Sequence, residues 1–136
     1  MTDAGISGAA VVRAAEAMLR ALGGDAVAIV FPLVTLPNDP SAQLGLADPG
    51  VEQVPFSPVV VRSLVAPNTG PRRRLEFLIA GASVADAVVS QNAASADALF
   101  SSALGILYDG SMFHIEGVIT EYFAGTAYLY KVTAME

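Results

Sequence analysis

Apolar residues recur at helical spacing over residues 7–22, where Val11, Ala14, Ala15, Met18, Leu19 and Leu22 share one stripe. Arg13, Glu16 and Arg20 fall on the other side, and Glu16 to Arg20 is a favourable i,i+4 pair. Ser7 supplies a plausible N-cap and Gly23-Gly24 the stop, so the pattern predicts an amphipathic helix. The period then changes. Ala26-Val27-Ala28-Ile29-Val30-Phe31 is apolar on both faces, which predicts a strand over 25–34 buried on both sides. Pro32 makes it an edge strand or a bent one.

Residues 35–57 have no period. Pro37, Pro40, Pro49 and Pro55 break the segment into a long loop, longer than connections in compact domains usually are. Yet it carries Leu36, Leu44, Leu46, Val51, Val54 and Phe56, which is too apolar for a solvated linker. Leu36, Leu44, Leu46 and Phe56 have no local face on which to bury themselves. They are therefore the candidate subunit interface, expected to pack on a neighbouring copy as the loop orders on assembly.

Strand patterning returns over 58–66 and 72–80. Pro67-Asn68-Thr69-Gly70 between them has turn chemistry, which predicts a hairpin ended by Gly81. Ser83 and Asp86 have capping-box spacing for a short helix over 84–90. Ser95 caps another over 96–104, with Leu99, Ala103 and Leu104 facing in and Gly105 at the stop. A short strand over 106–108 leads into Asp109-Gly110, a strong hairpin-turn dipeptide that favours positive φ. The strand over 112–123 sets Phe113 and Ile115 on one face and His114 and Glu116 on the other, with a bulge expected at Gly117. A turn at Ala124-Gly125-Thr126 and a last strand over 127–134 close a meander. The fold class is α+β, mainly an antiparallel β-barrel or sandwich. An N-terminal helix precedes it, and two short helices come before the C-terminal meander.

Composition narrows the class. The chain has 136 residues, which fits a single domain over 1–136 large enough to fold without disulfide or metal. Hydrophobic residues make up 54% and charged residues 15%, leaving few charges for a monomer's surface. Either partners cover part of that surface or the excess of Ala reflects genome bias. No apolar run reaches the length of a membrane span, and the acidic Met1-Thr2-Asp3 start argues against a signal peptide. With no Cys, thiolate chemistry is absent and the redox compartment is undetermined. A net charge of −6 opposes general attraction to nucleic acid. The basic run Arg72-Arg73-Arg74 alternates faces on a strand, so a solvated strand end is favoured over an anion site.

Candidate chemistry is sparse. The one histidine, His114, stands two residues from Glu116 on the same strand face. The pair is read as an ordinary exposed pair, the alternative being a catalytic His–carboxylate couple in a minor enzyme. No nucleophile elbow, phosphate loop, dinucleotide fingerprint or metal-ligand cluster occurs. Asp86 and Asp97 read as first-turn helix charges, and Glu121 with Glu116 as solvated strand positions. No catalytic residue, metal ligand or cofactor site is assigned. The expectation is a non-enzymatic protein that works by binding others. The alternative is a small-ligand-binding β-barrel or sandwich with Tyr108, Phe113, Phe123, Tyr128 and Tyr130 around its pocket.

The segment Ile106-Leu107-Tyr108-Asp109-Gly110-Ser111-Met112-Phe113-His114-Ile115-Glu116-Gly117-Val118 resembles a pattern of head–tail joining proteins of tailed bacteriophages. The pattern is a short strand, a D-G turn, an aromatic-x-Ile strand and a following Val. A hairpin then leads into a final strand like Ala127-Tyr128-Leu129-Tyr130-Lys131-Val132. The resemblance covers 106–134, and 58–104 in outline. It implies a small β-barrel or sandwich with a long loop that forms a homo-oligomeric ring, closing the head portal and receiving the tail. Its partners would be portal or adaptor and tail proteins. Its location would be the virion neck, after assembly in the bacterial cytoplasm, with no membrane and no cofactor. DNA would pass through the lumen without specific binding, and an acidic chain suits that passage. The helix at 7–22 is similar to the start of tail terminators, so stopper, adaptor and terminator all stay open.

Overall fold

The structure, a computed structural model, describes residues 7–33, 50–64 and 72–136. Helix α1 (Gly8–Ala21) starts where Ser7 Oγ accepts from the Ala10 N–H at 3.2 Å. Strands β1 (Asp25–Pro32), β2 (Val51–Leu64) and β3 (Arg74–Ala80) follow. Helices α2 (Gly81–Ser90) and α3 (Ala96–Ser102) come next, and β4 (Gly105–Tyr108), β5 (Ser111–Phe123) and β6 (Thr126–Met135) end the chain. The strands form a closed barrel in the order β1-β2-β3-β6-β5-β4, with every neighbour antiparallel. The α+β reading holds, and of barrel or sandwich the molecule is a barrel. Among the described residues no helix is long and apolar enough to cross a membrane.

Two apolar layers hold it. Ile29, Phe56, Phe77, Ile79, Phe113 and Val132 fill the barrel, and Val84 of α2 with Leu99 of α3 join that core. Outside the wall, Leu19 of α1 packs with Ala80 and Leu129, flanked by Val60, Leu78 and Tyr128. β1 reads apolar on both faces because both are covered: Ile29 and Phe31 join the interior cluster, and Val30 is equally buried. β1 is not an edge, because β2 and β4 flank it, and Pro32 is its last residue.

The expected loop over 35–57 is shorter than the sequence pattern suggests, since 51–57 belongs to β2. The apolar edge of β1 provides the ladder, with Val27 opposite Phe56 and Pro32 opposite Val51. Pro55 is tolerated because β3 pairs with β2 only from Val59 onward, so this stretch is laddered on one side. Phe56 is 1% exposed within the barrel, so it serves the chain's own core and not a subunit interface. Leu36, Leu44 and Leu46 lie outside the described residues, as does the turn expected at 67–70.

α2 begins at once on Gly81, whose N-cap is Ala80, and the capping box at Ser83 and Asp86 does not form. Ser83 Oγ instead donates to the Ser57 carbonyl at 2.9 Å. A Cβ on Gly81 would stand 2.4 Å from the Ala127 carbonyl oxygen, so only glycine lets the chain turn from strand to helix against β6. α3 keeps its Ser95 cap but stops at Ser102. The Leu104 N–H donates to the Val30 carbonyl at 2.7 Å, which draws 103–104 into extended backbone and turns Leu104 outward.

Candidate functional site

The tight turn after Tyr108 has Asp109 at φ 52° and Gly110 at φ 75°, the left-handed pair that Asp-Gly favours. It sends β5 back beside β4, with Ile106 opposite Phe113 and Tyr108 opposite Ser111. The two strands differ greatly in length, 4 residues against 13. β6 pairs with β5 along its whole later course, from His114 opposite Met135 to Phe123 opposite Thr126. On the other side no strand accompanies β5 after β4 is exhausted, among the described residues. The register shift between Ile115 and Gly117 is the expected bulge, with Glu116 as the extra residue.

Beside the start of this unpaired edge lies a cavity of about 540 Å³ between α3 and β5. Phe100, Ala103 and Leu104 line one side and Ile115 and Val118 the other, with Asp97 and His114 also on its wall. Farther along the edge, large apolar side chains stand in solvent: Ile119 is 60%, Tyr122 65% and Phe123 41% exposed. A strand edge, an open groove and an apolar stretch therefore adjoin one another. Such an arrangement binds another extended chain better than it turns over a substrate.

The glutamates of β5 are committed to ion pairs. Arg74 donates from two guanidinium nitrogens to the two carboxylate oxygens of Glu116, at 2.8 and 3.0 Å, so Glu116 serves the barrel and not His114. These hydrogen bonds hold the Glu116 carboxyl below the usual glutamate range. Arg73 reaches Glu136 at 2.7 Å, Asp109 at 2.9 Å and Ser111 at 3.2 Å, and lies 5.2 Å over the Phe113 ring. The Glu136 carboxyl is lowered chiefly by its hydrogen bond with Arg73. Two arginines of the basic run are thus taken by the chain's own carboxylates. Glu121 pairs with Lys131 at 3.3 Å. Among the described residues no group of acidic or histidine side chains could hold a metal.

The aromatic set expected around a ligand does not gather at one cavity. Tyr108 and Phe113 pack edge-on with Phe77, at ring distances of 5.7 and 6.0 Å, inside the core. Tyr130 packs on Phe100, Tyr128 lies under α1, and Phe123 faces solvent. The candidate feature that pattern reading missed is the β5 edge. Its signal was the unequal length of the two strands around Asp109-Gly110. Compared with protein-family models, curated proteins and solved structures, the chain matches none.

Proposed function

We propose that this protein acts by association rather than by catalysis, as a structural assembly subunit. The observation that carries the reading is the unpaired β5 edge with exposed Ile119, Tyr122 and Phe123 beside it. Chains rarely leave a long backbone edge and large apolar side chains together in water unless something covers them. The grip of Arg74 on Glu116 supports the same reading, because it takes the carboxylate that stands two residues from His114 in the sequence.

The setting we propose is the one implied by the 106–118 resemblance: an adaptor in the neck of a tailed phage or prophage particle. There a homo-oligomeric ring would join the head portal to the tail, after assembly in the bacterial cytoplasm. A net charge of −6 supports a lumen through which DNA slides without sticking. The test is to add the purified protein to DNA-filled, tailless heads and tails and to image the products. Rings at the portal vertex and joined particles are expected. No association with portal, adaptor or tail proteins would overturn the neck setting. The small-ligand reading retains one observation, the groove of about 540 Å³, whose size falls in the range of ligand sites.

A further inference from the structure

We infer that the free edge of β5 is a homodimer seam, on which a second copy lays its own β5 antiparallel about a two-fold axis at Thr120. The inference rests on the reading of the protein as an assembly subunit; a two-fold seam closes the β5 edge within a pair, so the dimer and not the single chain would be the unit that enters any ring.

The backbone chooses the kind of occupant. Beyond the bulge, residues 117–123 are laddered to β6 on one side only, so about half of their N–H and C=O groups point to a side where no strand lies among the described residues. Those groups are satisfied in series by another strand edge. Natural edges are guarded by Lys, Pro or unpaired charge. This stretch, Gly117-Val118-Ile119-Thr120-Glu121-Tyr122-Phe123, has no Lys, Arg or Pro. Its one charge, Glu121, is already neutralised by Lys131 of β6. A second long stretch laddered on one side among the described residues, β2 before Val59, is guarded by Pro55, and the Ser57 carbonyl is occupied by Ser83. The β5 edge therefore fits its own like better than it fits β2 of a neighbour.

Register points to the axis. Residues directly opposite in an antiparallel pair share a face, so the two-fold must pass through a residue and not between two. An axis at Val118 or Ile119 drives the partner strand back toward Phe113 and His114, where Gly105 and Leu104 already stand. An axis at Thr120 uses 117–123 alone. It sets Phe123 over Gly117, covering bare backbone with an aromatic ring, and Tyr122 against Val118 at the groove wall. Ile119 then faces Glu121 of the second copy, and neither Glu121 faces its equivalent. The exposed apolar side chains at one end of the edge meet the glycine and the groove at the other, which is the self-complementarity a two-fold contact requires.

Sedimentation equilibrium over a wide concentration range, combined with hydrogen exchange, tests the seam. A monomer–dimer equilibrium is expected, with protection at 117–123 rising with the dimer fraction. Ile119→Glu sets two like-charge pairs across the seam and should weaken the dimer roughly tenfold. Within its own chain the new carboxylate faces Lys131, so the fold is preserved. Adding Glu121→Lys to that variant turns both contacts into opposite-charge pairs and should restore the dimer. A dimer indifferent to Ile119→Glu, or a larger oligomer with 117–123 unprotected, overturns the seam and leaves the assembly reading standing. A chain that stays monomeric alone and with portal and tail proteins overturns both.

Discussion

Among the described residues three outside glycine hold positive φ, and one of them, Ala124 at φ 51°, has no side-chain group to offset the strain. It is the first central residue of the β5–β6 turn, followed by Gly125 at φ 77°. The pair wants Asn-Gly, since asparagine tolerates the left-handed region and alanine does not. Ala124→Asn should stabilise the protein by about 0.5–1 kcal/mol, read as a higher urea midpoint at unchanged slope. No gain would mean that the turn is held in place by forces outside it. The β4–β5 turn needs no such repair, because Asp109-Gly110 already has suitable chemistry.

Among the elements, α1 is joined to the barrel by few side chains. Leu19 is fully buried against Ala80 and Leu129, whereas Met18 and Leu22 of the same predicted stripe are largely exposed. Helical spacing identified the apolar stripe but not how much of it the barrel could cover. A convex sheet surface meets a straight helix along a narrow line, so one residue per turn or so gains full contact. Leu19→Ala should cost about 2–5 kcal/mol by opening a cavity in this outer layer. Hydrogen exchange should locate the loss in α1 and in its contacts with β3 and β6. Loss confined to the barrel interior would contradict the two-layer description.

On the scale of the molecule, Arg73 and Arg74 tie the start of β3 to the β4–β5 turn, the β5 bulge and the last residue, Glu136. The carboxyls of Glu116 and Glu136 titrate below their ordinary value because these arginines hydrogen-bond their charged forms. A carboxyl whose folded value is depressed contributes stability that is complete above the unfolded value, about 4.3. That contribution disappears as pH falls from there through the lowered folded value. The urea midpoint should therefore hold steady from neutrality to about pH 5 and then fall on further acidification. Replacing both residues, Glu116→Gln with Glu136→Gln, should lower stability at neutral pH and flatten the acid limb. An unchanged limb would assign the acid sensitivity to other carboxylates.

The local patterns of the chain alone determined the helix after Ser7, the order of helices and strands, both C-terminal turns and the bulge before Gly117. Each depends on contacts within a few residues: a cap, a period, a left-handed dipeptide. The tertiary structure decided the rest, because the deciding partner was far away in the chain. The edge of β1 made a strand of 51–57 and drew Phe56 into the core, where sequence pattern saw only prolines and a missing period. The close approach of β6 gave Gly81 to the start of a helix instead of the end of a strand. Arg74 took Glu116 from His114, a pairing across 42 residues that no local spacing encodes. The candidate site is of the same kind. Strand lengths could be read along the chain, but only the closed barrel shows that, among the described residues, β4 is too short to cover the remainder of β5 and no other strand does so.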